Sequence, residues 1–225
     1  MSSPSTFPEG APGAEVMTTL NLTVPAATRF DAIAIGASAG GIPALRAVLG
    51  SLARPFRAAV FVVQHLDPNH RSILAELLAR ETRLPVKVGI ADELVEAGMV
   101  YVASPGTHLM VEEAHVRLTQ SKPIHFSRPS IDVLFDSIAK GYGRHAIAVI
   151  LSGTGSDGVD GVRAIKAAGG TTIVQDPRHA EHSAMPRAAM ASGAVDLVLP
   201  LEDIGPALGR LVNGESIEDV GATLP

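Results

Sequence analysis

The chain has 225 residues, a formal net charge of −5 and no cysteine, and 46% of its residues are hydrophobic. This length and composition suit one globular domain with a sizeable core. The negative charge gives no electrostatic reason to expect a nucleic-acid partner or an anionic membrane, and the lack of cysteine excludes disulfides, thiolate metal sites and a cysteine nucleophile.

Both ends of the chain differ in composition from the middle. Residues 1–28 are rich in Ser, Pro, Gly, Ala and Thr, and we interpret them as a flexible tail. Residues 29–213 form the predicted folded domain, and residues 214–225 a second flexible tail. No apolar run approaches the roughly 20 residues of a membrane span, and the N-terminus lacks the pattern of a signal peptide. We therefore predict a cytoplasmic protein without direct membrane insertion.

Apolar runs alternate with segments of helical periodicity, which predicts an α/β fold with a doubly wound, mostly parallel sheet and helices on both faces. The predicted strands of this sheet are Phe30–Ile35, Ala58–Gln64, Leu84–Ile90, His145–Leu151, Thr171–Gln175 and Ala194–Leu199. The predicted helices are Ile42–Leu52, Ser72–Glu81, Ser130–Lys140 with Ser130 as N-cap, Val159–Ala168, Ala184–Ser192 and Glu202–Val212. Three further segments alternate in polarity and predict antiparallel strands with a hairpin, an extension of the sheet. They are Met99–Ala103, Leu109–Glu112 and His115–Thr119.

The first predicted strand leads into the turn Gly36-Ala37-Ser38-Ala39-Gly40-Gly41, which has the spacing G-x-S-x-G. This spacing places a serine hydroxyl at the top of a tight strand-to-helix turn. Small residues let the following helix bring its backbone N–H groups close to a developing anion. Taken alone, the turn is equally consistent with a nucleophile, a phosphate cradle or a simple tight connection.

Ser38, His65 and Asp157 each follow a predicted parallel strand. Because the carboxyl ends of parallel strands share one edge of the sheet, we expect the three side chains to meet there. They form a set of nucleophile, general base and orienting carboxylate. The alternatives are a helix N-cap for Ser38, a structural histidine for His65 and a turn or N-cap aspartate for Asp157. The chain order Ser, His, Asp differs from the order in α/β-hydrolases.

Six motifs then resemble, in the same order, the catalytic domain of the chemotaxis-receptor methylesterase family (CheB). They are IGASAGG from Ile35, VQHLDPNH from Val63, YVASPGTHL from Tyr101, RPSIDVLF from Arg128, LSGTGSDGVDG from Leu151 and MPRAAMASGAVD from Met185. The resemblance spans about Phe30 to Val212 and implies a triad of Ser38, His65 and Asp157. It also implies hydrolysis of glutamate γ-methyl esters on the cytoplasmic domain of chemoreceptors, with deamidation of receptor glutamines in some members.

The resemblance also implies roles for three neighbours of the triad. Backbone N–H groups at Ala39 and Thr154 are the expected oxyanion donors. Studied members carry Thr and Met at these two positions, so we expect the site here to differ in shape. Arg128 either contacts the substrate helix or anchors a loop.

The resemblance leaves regulation and alternative functions open. The receiver domain that usually precedes the esterase has no counterpart in residues 1–28, so we expect control by a separate regulatory protein or none. A catalytically silent docking module is the main alternative. A nucleotide-binding domain is disfavoured because Ser38 takes the second glycine position of G-x-G-x-x-G. We predict no cofactor, and no metal site, because no histidine pair has the i, i+4 spacing of helical ligands.

Overall fold

The computed structural model describes residues 31–66 and 72–216. The predicted tail 1–28 and most of the predicted tail 214–225 lie outside these residues, as does the segment 67–71.

A seven-stranded sheet forms the centre of the molecule, and all its neighbouring strands pair in parallel. Its strands are β1 (Ala32–Ala37), β2 (Ala59–Gln64), β3 (Val86–Val88), β4 (Val100–Val102), β7 (Ala146–Ile150), β8 (Thr171–Gln175) and β9 (Leu197–Leu199). A separate antiparallel hairpin contains β5 (His108–Glu112) and β6 (His115–Thr119). The helices are α1 (Gly41–Gly50), α2 (Leu74–Ala79), α3 (Ile131–Tyr142), α4 (Val159–Ala167), α5 (Ala184–Ala191) and α6 (Leu201–Val212), with a short 3₁₀ turn at Gly143–His145.

The sheet is covered on both faces, which explains why its central strands are apolar throughout. In β1, Ile33 and Ile35 join the core formed with α1, α2 and α6. Ala32 and Ala34 join the opposite core, which contains α3, α4, α5 and the hairpin. Both faces of β1 are fully buried. The predicted doubly wound fold with helices on both faces is thus confirmed.

One predicted strand has a different partner from the one expected. Met99–Ala103 was assigned to the antiparallel extension, but its central part is β4, which lies in the main sheet between β3 and β2 and pairs with both in parallel. The assignment was wrong because residues 89–99 connect β3 to β4 without a helix, so the usual signature of a parallel crossover is missing. The hairpin itself forms as predicted.

The order of strands locates the functional edge. It runs β3-β4-β2-β1-β7-β8-β9, so the chain builds outward from β1 through β2 and later returns to the other side of β1 with β7. Ligands of open α/β sheets bind outside the carboxyl ends of the strands at such a reversal. Ser38 follows β1, His65 follows β2 and Asp157 lies in the loop after β7. The described residues contain no helix that is long and apolar enough to cross a membrane.

Candidate active site

Ser38 is held by hydrogen bonds from its own turn and from the ends of two other strands. Its N–H donates to the carbonyl of Ser152 at 3.0 Å, and its carbonyl accepts from the N–H of Gly41 at 2.9 Å. The buried side chain of Gln64 bridges the serine and the histidine, because its Nε2 donates to the carbonyls of Ser38 at 2.7 Å and His65 at 3.0 Å. The turn that carries the serine is therefore rigidly tied to the ends of β2 and β7.

The three predicted catalytic side chains form a continuous chain. Ser38 Oγ lies 3.2 Å from His65 Nδ1, and His65 Nε2 lies 2.7 Å from Asp157 Oδ2. An ionised carboxylate only accepts hydrogen bonds, so Nε2 carries the ring proton and Nδ1 offers its lone pair to the serine hydroxyl. The ring thus faces the serine with the opposite nitrogen from that in the chymotrypsin arrangement, with the same division of roles.

Asp157 is buried, with 3% exposure, and its carboxylate accepts four hydrogen bonds from described residues. Besides His65, the donors are Ser130 Oγ at 2.8 Å, Ile131 N at 2.8 Å and Asp132 N at 3.1 Å. Burial alone would raise the pKa of Asp157, but these hydrogen bonds, first that of His65, bring it below the ordinary value. The carboxylate therefore stays ionised, held by the first turn of α3, where the helix dipole also favours negative charge.

The helix caps argue against the structural alternatives for Ser38 and Asp157. The N-cap of α1 is Gly40, with φ 69°, and no side chain caps that helix. Gly158 is likewise the N-cap of α4, and Asp157 contacts α3 rather than α4. His65 keeps only 17% of its side chain exposed, between the other two members.

A crevice of about 500 Å³ opens above Ser38 and His65. Its walls are the loop after β7, from Thr154 to Asp157, and the segment His125 to Ser127. A smaller hollow of about 160 Å³ adjoins it and includes Arg128. Phe126 borders both hollows, and its side chain is fully exposed. The crevice is open and polar enough to admit a flexible protein side chain.

The backbone amides of Ala39 and Thr154 donate no hydrogen bond to another described residue. Ser152 fixes the peptide next to Ala39, because its Oγ donates to the Ala39 carbonyl at 2.9 Å. Gly153 brings the loop after β7 against the serine, since a Cβ there would lie 2.9 Å from Ser38 Cβ and 2.5 Å from Met185 Cε. Both amides are therefore free of hydrogen bonds to described residues, and their role as oxyanion donors stays a prediction.

Arg128 makes the loop contact that was one of its two predicted roles. Its Nη1 donates to the carbonyls of Gln120 and Ser121, both at 3.0 Å. Contact with a substrate helix stays a prediction, which its position beside the smaller hollow allows.

Comparison with known proteins agrees with this geometry. The family model described as CheB methylesterase matches residues 33–208. The chain belongs to the CheB methylesterase family. The resemblance predicted from the six motifs is thus confirmed.

This chain matches different fractions of the length of its solved and curated CheB relatives. The crystal structure of the Thermotoga maritima CheB methylesterase catalytic domain is similar with a TM-score of 0.78 and 34% identity, over 81% of this chain and 99% of that one. The protein-glutamate methylesterase/protein-glutamine glutaminase 2 of Anaeromyxobacter dehalogenans is 43% identical over 82% of this chain, which spans only 54% of that protein. A putative protein-glutamate methylesterase/protein-glutamine glutaminase of Leptospira interrogans is 39% identical over 81% of this chain and 95% of its own.

Three residues make contacts around Ser38, His65 and Asp157 that the sequence did not predict, although Ser130 was predicted as the N-cap of α3, a role that it also has. Gln64 joins the backbones of the serine and histidine, and Ser130 donates to the carboxylate. The fully buried His108 accepts from Ser130 N at 3.1 Å through Nδ1, and its Nε2 lies 3.3 Å from the carbonyl of Lys122. His108 thus connects the α3 N-terminus to the loop that borders the crevice. All three lie within the six motifs that resemble CheB, and this position in the motifs was the signal that could have identified them.

Proposed function

We propose that this protein is a serine esterase that hydrolyses glutamate γ-methyl esters on the cytoplasmic domain of chemoreceptors or receptor-like signalling proteins. The observation that carries the proposal is the chain of hydrogen bonds from Ser38 through His65 to Asp157, at the carboxyl edge of the sheet in a CheB-family domain. The curated relatives are protein-glutamate methylesterases by name, which supports the substrate class.

In the first half of the proposed reaction, Ser38 Oγ attacks the ester carbonyl while His65 Nδ1 takes its proton. Asp157 keeps Nε2 protonated and stabilises the imidazolium that forms. The backbone amides of Ala39 and Thr154 donate to the oxyanion; losing one such donor costs about a hundred- to thousandfold in rate. The C–O bond to the methoxy group then breaks, and its oxygen takes the proton from Nδ1 to leave as methanol.

In the second half, a water molecule attacks the acyl-serine and gives its proton to His65 Nδ1. The acyl C–O bond to Ser38 breaks, and Oγ recovers a proton from the imidazolium. The product is a free γ-carboxyl group. With a glutamine substrate the same steps would release ammonia, which fits the glutaminase activity in the names of the relatives.

The proposal also covers the surroundings of the reaction. The enzyme acts in the cytoplasm, on a protein substrate whose esterified side chain enters the crevice beside Ser127 and Thr154. A separate regulatory protein controls access to the crevice. The folded domain spans residues 29–213, and Arg128 adds a substrate contact at the edge of the hollow.

The direct test is release of labelled methanol from methylated receptor cytoplasmic fragments. Wild type should release methanol, and Ser38→Ala should not, while keeping the wild-type circular dichroism spectrum. Ser192→Ala, at the C-terminal end of α5, is the matched control and should retain full activity. Release by Ser38→Ala at the wild-type rate would refute the triad. No release by a folded wild type from any tested fragment would favour a silent docking module.

A further inference from the structure

A second group of polar side chains lies beside the triad and takes no part in the proposed reaction. His125, Asp132 and Asp160 each offer a ligand atom, and these three atoms all lie within 4.8 Å of one another. The histidine belongs to the turn Ile124–Ser127, and the two carboxylates come from the first turns of α3 and α4. Three separate elements of the fold thus direct potential metal ligands to one point.

Asp132 supplies the observation that distinguishes this group from an ordinary surface cluster. The residue is buried, with 8% exposure, and its Oδ1 accepts from Gly161 N at 2.7 Å. Its Oδ2 is buried and accepts no hydrogen bond from a described residue; it lies 3.4 Å from His125 Nε2. Leaving a buried carboxylate oxygen unsatisfied is costly. The free oxygen faces the histidine, where a bound cation would satisfy it.

The surrounding charges favour a cation at this point. Burial raises the pKa of Asp132, and the neighbouring negative charge of Asp157 raises it further. Among the described residues, the ion-pair partner of Asp132 is His125. Arg163 Nη1 pairs with Asp160 Oδ1 at 2.8 Å, but both side chains are more than half exposed, and ion pairs exposed in this way are weak. This contact also leaves Asp160 Oδ2 available.

We propose that His125, Asp132 and Asp160 bind one divalent transition-metal ion of the zinc type. An imidazole nitrogen with two carboxylate oxygens suits Zn²⁺, Co²⁺ or Ni²⁺, whereas Ca²⁺ and Mg²⁺ prefer oxygen ligands and higher coordination numbers. Three protein ligands leave a coordination position for water. The hydrogen bond from Gly161 N orients the Asp132 carboxylate, as partners of metal ligands commonly do.

The ion would brace the wall of the crevice. His125 and Phe126 are the central residues of the turn, with φ of 47° and 64°, a conformation that non-glycine residues adopt at a cost. The turn is closed by two backbone hydrogen bonds between Ile124 and Ser127, of 3.1 and 2.8 Å. A metal bound to His125 would tie this turn to α3 and α4 while leaving the triad unliganded.

The test is titration of the full-length, chelator-treated protein with Zn²⁺ alone by isothermal calorimetry at neutral pH, followed by visible absorption with Co²⁺. We expect one ion per chain. His125→Ala and Asp160→Asn change exposed side chains and should each weaken Zn²⁺ binding by about tenfold or more. The matched control is His179→Ala, since His179 also lies beside a buried aspartate, Asp176, but without a third ligand within the described residues. It should leave the affinity unchanged.

Three results would overturn the proposal. The first is no Zn²⁺ binding by wild type at millimolar concentration. The second is equal loss of binding in His179→Ala and His125→Ala, which would indicate coordination by surface histidines in general. The third is loss of binding in His65→Gln with retention in His125→Ala, which would place the ion at the triad instead.

Discussion

Ser130→Ala separates support of the triad from support of the fold. The Ser130 hydroxyl donates to Asp157 Oδ1 at 2.8 Å and also accepts from Val133 N, at 3.5 Å, as the N-cap of α3. Without this hydroxyl, Oδ1 keeps one hydrogen bond from the described residues, that of Asp132 N at 3.1 Å, while Oδ2 keeps its contacts with Ile131 N and His65. The substitution thus loosens one of the two oxygens of the carboxylate and leaves the other in place.

The expected magnitudes follow from these contacts. A hydrogen bond to a charged group contributes about 1.5–3 kcal/mol to stability. The cap bond to Val133 N is long, so its loss belongs at the low end of the range of about 0.5–2 kcal/mol. We expect the free energy of unfolding to fall by about 2–3 kcal/mol. If half of this free energy also stabilises the imidazolium in the transition state, its loss lowers kcat by about tenfold.

Ser137→Ala is the matched control, because Ser137 is a buried serine of the same helix away from the triad. Its hydroxyl donates to the carbonyl of Leu134 at 2.7 Å and accepts from Val111 N at 3.1 Å. Removing it leaves a buried N–H unsatisfied, at a cost of about 1–3 kcal/mol. Urea unfolding should therefore show similar losses for both variants, while methanol release should fall only in Ser130→Ala. Equal loss of kcat in both variants, or full turnover in Ser130→Ala, would refute the reasoning.

Three further predictions concern the carboxylate, a buried histidine and a helix contact. Asp157→Asn should reduce kcat by about 10⁴-fold in the methanol assay, because an amide no longer selects the ring tautomer; an unchanged rate would make Asp157 a structural residue. Burial lowers the pKa of His108 below 6.5, so the unfolded state binds more protons and stability should fall as the pH drops below that value. Between pH 7.5 and 5.5, the free energy of urea unfolding should decrease less for His108→Asn than for wild type. An identical decrease in both proteins would exclude His108 as the source of the pH dependence. Gly161→Ala places a Cβ 2.5 Å from Phe135 Cβ and should destabilise the protein by about 1–3 kcal/mol in thermal or urea unfolding; wild-type stability would contradict this.

The sequence predicted the elements with strong periodicity and lost accuracy at the edges of the sheet. The buried β1 and β2 were located within two residues, because both faces of these strands are apolar. The edge strands β3 and β9 are only three residues long, against the longer predictions Leu84–Ile90 and Ala194–Leu199. An edge strand pairs on one side only, so its ends lack the hydrogen bonds that would extend it.

The contact between the proposed triad residues Ser38, His65 and Asp157 was predictable, because each directly follows a strand or lies in the first loop after one. Its supporting contacts were not, because Ser130 lies at the start of α3 and His108 on the hairpin strand β5, so neither follows a strand of the parallel sheet. Ser130 and Asp157 are 27 residues apart, and His108 and Ser130 are 22 apart. The turn at His125 and Phe126 also gave no signal, because turns with two positive φ angles usually contain Asn or Gly.

The most direct test of the central claim is covalent labelling of the nucleophile. The full-length protein would be treated with a fluorophosphonate, digested and mapped by mass spectrometry. Our account predicts a single adduct on Ser38 in wild type, with labelling slowed by about a hundredfold or more in His65→Gln. An adduct on another serine, or equal labelling of Ser38 in both proteins, would contradict the claim that His65 activates Ser38.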